Sequence, residues 1–187
     1  TPHYGVNYPV RAFEEKENFD LQLDYDFNYL LMAQWSPRKN LENSVRWWVE
    51  EFIDREVGLV IKCSVKNDSI IDRFWSEKKL KELLSQYKER KCKVYLLHGT
   101  MDDHEMASLY QHPKIKSFVS ISHGEGFGLP LFEAAYYGLP IVAPAWGGQC
   151  DFLFKPAKNK KGKVKNKSMF AKVDYDINKI QKEAVWA

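Results

Sequence analysis

The run Ser122-His-Gly-Glu-Gly-Phe-Gly-Leu-Pro130 places glycines at 124, 126 and 128 just before a helix-forming stretch, Leu131 to Tyr137. Glycine lets a backbone approach a ligand closely and take positive φ. The helix that follows leaves its first N–H groups unpaired at the positive end of its dipole. Such a loop-to-helix junction binds phosphate. Glu133 lies about one turn into the helix, and helical side chains lean toward the N-terminus, so its carboxylate reaches back to the ligand region. A carboxylate near a phosphate is repulsive unless hydroxyls donate to it, and those of a ribose or another sugar are natural donors. Glu125, inside the loop, makes the same demand for a second polyhydroxyl group. Arg38 and Lys39, in an earlier loop, bring positive charge that offsets a diphosphate. The same residues also fit a tight turn in which Glu133 merely complements the helix dipole, and at this level both readings stand. The loop is no Walker A, because no Gly-Lys-Ser/Thr follows, and its glycine spacing departs from the dinucleotide fingerprint.

These residues need a scaffold that brings distant loops together. Short β-rich runs alternate with helical patterns: Phe27–Ala33, Gly58–Val65, Val94–Leu97, Phe118–Ile121 and Ile141–Ala143 read as strands. Between them, Asn40 caps a helix with Leu41, Val45, Trp48, Val49 and Phe52 on one stripe. Residues 74–87 follow a helical period through Leu80, Leu83, Leu84 and Tyr87, and Asp102-Asp103 caps a helix over 105–110. Pro130 and Gly138 bracket the fourth helix. The alternation predicts an α/β fold, a Rossmann-like parallel sheet with helices on both faces, over residues 26–154. Residues 1–25 read as a linker or edge segment. Residues 155–187 read as a lysine-rich loop followed by an incomplete C-terminal segment.

Composition narrows the function classes. With 187 residues, 44% of them hydrophobic, the chain suffices for one packed domain. No apolar run approaches the ~18 residues of a membrane-spanning helix. The opening at Thr1 lacks a signal-peptide layout, so the chain is expected to be a fragment or an excised domain. A net charge of +3 argues for neither nucleic acid nor membrane. Residues 155–167 hold seven lysines (155, 158, 160, 161, 163, 165 and 167). They read as a solvated surface loop, with an anionic-membrane or phosphate patch as the alternative. Without interleaved aromatics they make no platform for single-stranded nucleic acid. Cys63, Cys92 and Cys150 fit no disulfide or zinc pattern and read as reduced thiols of a cytoplasmic protein. His98, His104, His112 and His123 match no metal-ligand spacing and read as solvated or capping residues.

Glu125-Gly-Phe-Gly-Leu-Pro-Leu-Phe-Glu133 resembles the E-x7-E motif of retaining glycosyltransferases of the two-Rossmann-domain (GT-B) architecture, close to glycosyltransferase family 4. Ala134–Ala143 is similar to that family's following helix and strand, Gly147-Gly148 to its next turn, Pro37–Leu41 to its basic loop, Leu97–Thr100 to its base-side loop, and His3–Asn7 to its inter-domain linker. The resemblance implies one half of a GT-B fold, the donor-binding domain of an enzyme that transfers a hexosyl group from a UDP- or GDP-linked sugar with retention. By position, Glu133 then binds the donor ribose, and Glu125 contacts hydroxyls of the transferred sugar. The backbone of Gly126, Phe127, Gly128 and Leu129 holds the diphosphate. Lys39 and Arg38 stabilise the leaving group, and Gly99 and Thr100 flank the base. No metal and no cofactor is implied, because basic side chains and a helix N-terminus supply the positive charge. Gln34 departs from the pattern, standing where many relatives carry an arginine. The partner implied beyond the nucleotide sugar is an acceptor domain preceding Thr1, without which the fragment is expected to be inactive. A sugar-nucleotide epimerase on the same architecture and a non-catalytic binding or scaffold module are the competing readings.

Overall fold

The computed structural model describes residues 21–158, 160 and 162–179. The linker-like resemblance at His3–Asn7 and the last residues of the C-terminal segment lie outside this range. Six strands form one sheet in the order β3-β2-β1-β4-β5-β8, every neighbouring pair parallel. The strands are β1 (Asn28–Gln34), β2 (Gly58–Ser64), β3 (Lys93–Leu97), β4 (Ile115–Val119), β5 (Ile141–Pro144) and β8 (Ala171–Val173). Five of them were expected from the alternation of strand and helix patterns. The sixth, β8, was not, because three residues after a lysine-rich stretch carry too little pattern to read.

Strand alternation sorts the core into two layers. Leu30, Val60, Phe118 and Ile141 point to one face, where α3 (Asp103–Tyr110) and α4 (Leu129–Tyr136) cover them with Leu109, Tyr110, Leu131 and Ala134. Leu31, Leu59, Ile61 and Val119 point to the other. There α1 (Leu41–Phe52) contributes Leu41, Val45, Trp48 and Val49, and α2 (Ile70–Leu84) contributes Leu80 and Leu83. Helices therefore cover both faces. Among the described residues, the β4-β5-β8 half of the α1 face carries no helix. It is instead an apolar groove of about 1050 Å³ lined by Trp47, Phe52, Val119, Val142, Trp146 and Val173.

Two local expectations are corrected. Helix α2 begins at Ile70, and Phe74, which the helical period placed at its start, is 61% exposed. Its buried stripe is Asp72, Ser76, Leu80 and Leu83, while Ile70, Ile71, Phe74 and Trp75 face outward on the opposite side. Residues 155–158 and 164–167, expected in a loop, are strand. After a four-residue helix, α5 (Cys150–Leu153), strands β6 (Phe154–Lys158) and β7 (Val164–Ser168) pair antiparallel as a separate hairpin.

Helix α3 starts as Asp102 suggested. The Asp102 side chain accepts the Glu105 N–H and the Glu105 carboxylate accepts the Asp102 N–H, each at 2.9 Å, which is a complete capping box. Cys63 and Cys92 are buried, and burial pushes the Cys63 thiol up to about 12. No described helix is long and apolar enough to cross a membrane.

Candidate functional site

In a doubly wound parallel sheet the ligand crevice opens beyond the carboxyl ends of the strands, where the strand order reverses. Here the reversal falls between β1 and β4. The loops leaving those two strands are Trp35–Asn40 and Ser120–Gly128, the same two that carry Lys39 and Glu125. Topology alone brings residues 86 positions apart side by side.

A set of hydrogen bonds then fixes the two loops to each other. The His123 N–H donates to the Arg38 carbonyl at 2.9 Å, and Arg38 Nη1 donates to the Gly124 carbonyl at 2.8 Å. Asn40 Nδ2 donates to the Ile121 carbonyl at 3.0 Å. Asn40 has φ 51°, the one positive φ at a non-glycine among the described residues, and asparagine tolerates that region better than most. The sequence marked Asn40 as a side-chain cap of α1, but its side chain makes no such bond. It spends its donors across the crevice and accepts from Asn43 Nδ2 at 2.8 Å. Lys39 Nζ forms an ion pair with Glu125 Oε1, the two side chains being 17% and 10% exposed.

The glycine loop is braced from behind. The Gly148 N–H donates to the Glu125 carbonyl at 3.1 Å, and a Cβ at Gly148 would fall 1.8 Å from the Gly126 oxygen. Only glycine allows that approach. Gly128 precedes α4 with φ 86° and no side chain to cap the helix. The first turn therefore presents backbone N–H groups, less the one that Pro130 lacks. Phe127 turns its ring into apolar packing, 5.5 Å from Phe132 and 5.3 Å from Phe152. It offers a ligand only its backbone, as does exposed Gly126. Leu129 is 39% exposed at the first helical position.

Glu133 is half-buried, and the Tyr110 hydroxyl donates to its Oε2 at 2.8 Å. The Tyr110 ring is 1% exposed and stacks on Tyr137 at 5.7 Å. No local pattern marked this tyrosine, because it closes a helix 23 positions before its partner and nothing nearby in the chain connects the two.

Gly99 and Thr100 lie farther along the same edge of the sheet, after β3. Lys62 Nζ donates to the Gly99 carbonyl, and Thr100 Oγ1 donates to Asp68 Oδ2 at 2.8 Å. Beneath them sits a buried pair, His98 Nε2 at 2.9 Å from Asp72 Oδ1, with side chains 3% and 5% exposed. Asp72 also accepts the N–H groups of Val65, Lys66 and Asn67 at 2.8, 2.6 and 2.9 Å. Burial by itself would raise its pKa. The bonds from Asn67, His98, Val65 and Lys66 outweigh burial and hold the carboxyl well below the usual carboxylate range. His98 is thus neither solvated nor capping, contrary to the reading of loop histidines. Asp72 shares a helical stripe with Ser76, Leu80 and Leu83, and that spacing was a usable signal of its burial.

Of the remaining residues, His123 is exposed and enters the crevice by its backbone, and His112 Nδ1 accepts the Lys114 N–H at 3.1 Å. Gln34 is exposed at the last position of β1. No group of three or more His, Cys, Asp or Glu gathers among the described residues.

Comparison with known proteins gives the arrangement a context. Residues 13–171 match the family profile described as "Glycosyl transferases group 1". The chain is similar to the sucrose-phosphate synthase of Thermosynechococcus elongatus, with 23% identity and a TM-score of 0.52, over 71% of this chain and 31% of that one. A weaker likeness, at 18% identity and a TM-score of 0.46, is to the catalytic domain of starch synthase IV from Arabidopsis thaliana bound to ADP and acarbose; it covers 72% of this chain and 25% of that one. The chain therefore spans about a third of the length of the first and a quarter of the second. No curated protein sequence gives a match.

Proposed function

Because this chain belongs to the group 1 glycosyl transferases, we propose that it is the donor-binding half of a retaining, metal-independent hexosyltransferase that uses a nucleotide-diphosphate sugar. One observation carries the reading. At the topological switch point, a glycine loop and a helix start whose N–H groups suit a diphosphate are flanked by two carboxylates, Glu125 and Glu133, that suit the hydroxyls on either side.

Binding would exchange partners. Lys39 and Glu125 neutralise each other across the crevice. A diphosphate draws Lys39 more strongly than a single carboxylate does, and hydroxyls of the transferred sugar then donate to Glu125 in place of the ammonium. Glu133, held by Tyr110, keeps its other oxygen for a ribose hydroxyl. As the bond to the sugar breaks, charge grows on the diphosphate, and Lys39 with the N-terminal N–H groups of α4 stabilises it without rearrangement. Arg38 supports the loop through its bond to the Gly124 carbonyl and adds charge at the rim. Gly99 and Thr100 form the edge against which the base would lie.

The test is calorimetric titration of the chain with UDP and with GDP. One of them is expected to bind with a Kd of roughly 0.1–1 mM, and Glu133→Ala to weaken it by about tenfold or more at an unchanged Tm. Absence of binding by either nucleotide at millimolar concentration, or full binding by Glu133→Ala, overturns the pocket. Gln34, polar but uncharged, favours the second reading of a binding module without catalysis. The anomeric configuration and yield of product formed by the protein with its acceptor lobe separate the two.

A further inference from the structure

The hairpin β6–β7 lies outside the site just described, and its own side chains do not account for it. A two-stranded hairpin is marginal by itself. Its base is held by the Met169 N–H donating to the Leu153 carbonyl at 2.9 Å and by Phe154 against Phe170 at 5.3 Å. Beyond that base, its register sets Lys155 directly opposite Lys167 and Ala157 opposite Lys165. Directly opposed residues share a face, so Lys155, Lys165 and Lys167 all project from one side of the ribbon. Like charges in that position destabilise the pairing. All three are exposed, and neither they nor Lys158 form an ion pair among the described residues. From 155 to 170 the chain contains no aspartate or glutamate.

We propose that this lysine face is a docking surface for the anionic headgroups of a lipid membrane. The partner follows from the kind of cation and from what accompanies it. Every cation in the ribbon is lysine, a point charge, and none is arginine, whose planar fork grips a discrete phosphate in two-point geometry. No aromatic ring lies between the lysines on which a base could stack. A flat face of point charges without directional donors fits a delocalised layer of negative charge, and clusters of several lysines at a bilayer surface bind this way. Such an interaction anchors the protein at the surface without insertion, and it uses a hairpin separate from the six-stranded sheet whose β1 and β4 carry the crevice.

The experiment is co-sedimentation of the chain with phosphatidylcholine vesicles and with vesicles containing about 30 mol% phosphatidylserine, a strongly anionic surface. Binding is expected to the anionic vesicles alone and to be lost as salt rises from roughly 0.05 to 0.5 M. The triple substitution Lys155→Gln, Lys165→Gln, Lys167→Gln is expected to weaken it roughly a hundredfold, at about one kcal/mol per lysine. The corresponding triple arginine variant should bind as the native chain does. Lys158→Gln, on the other face of the ribbon, should cost distinctly less. Should the glutamine variant unfold, the salt titration and the arginine variant decide. Equal binding to neutral vesicles, no binding to anionic ones, a Lys158→Gln loss as large as the triple, or tighter binding to a DNA duplex than to the vesicles each overturns the proposal.

Discussion

Lys39 and Glu125 meet at the edge of solvent, where the value of an ion pair is hardest to guess. At 17% and 10% exposure the Coulomb attraction exceeds that of a surface pair, and part of the hydration of both groups is lost. Removing one partner leaves the other poorly solvated and unpaired, so Lys39→Ala should cost about 1–3 kcal/mol of stability as well as nucleotide affinity. Lys39→Met with Glu125→Leu should recover stability but no binding, a contrast that thermal melts and titration together would expose. Tyr110 poses a cleaner case. Its hydroxyl satisfies one oxygen of Glu133 and orients the carboxylate. Tyr110→Phe keeps the buried ring and removes only that donor, so UDP or GDP affinity should fall about fivefold with a Tm change of a few degrees at most. An unchanged Kd in Tyr110→Phe would show that Glu133 is oriented by its helix alone.

Elements place these residues, and small departures from regular geometry do the placing. The turn at Gly147-Gly148 presses against the glycine loop, and a methyl group at 148 has no room because the neighbour it meets is backbone. Gly148→Ala is expected to lower stability by about 2–3 kcal/mol and to abolish nucleotide binding, since the loop it displaces carries Glu125. Helix α2 holds the edge that carries Gly99 and Thr100 through Asp72, which pairs with His98. That carboxylate has a depressed folded-state pKa, so its contribution is complete above about pH 4, the unfolded value, and is lost as pH falls toward the folded one. Asp72→Asn should cost about 2–4 kcal/mol at pH 7, because an amide turns N–H toward donors already aimed at it. It should also flatten the fall of stability with acid below pH 4, which denaturant melts between pH 2 and 7 would measure. The same helix shows why its start was misplaced: Phe74 and Trp75 look like core but face outward, and Asp72 and Ser76 look like surface but face inward.

For the whole molecule, the sheet order β3-β2-β1-β4-β5-β8 puts every proposed ligand contact on one edge, beyond the strand ends. Under the proposed function the crevice is half of the cleft that the GT-B resemblance implies, and the chain matches about a third of the length of the sucrose-phosphate synthase. We expect the 187-residue chain to bind nucleotide and transfer no sugar, and product formation by the chain alone would refute the reading of it as half a site. Local patterns determined much of this. The β-rich runs, the helical stripe of α1, the cap at Asp102 and the glycines before α4 each act through neighbours a few positions away, so they were readable in order along the chain. What the sequence could not reveal is held by contacts between distant positions. Tyr110 bonds Glu133 across 23 residues, His98 bonds Asp72 across 26, and Lys39 meets Glu125 across 86. No period or motif encodes such pairs, because their spacing is set by which strands lie side by side. The lysine stretch shows the same limit. Its charge was plain in the sequence, but cross-strand register decided that it is a ribbon with Lys155, Lys165 and Lys167 on one face.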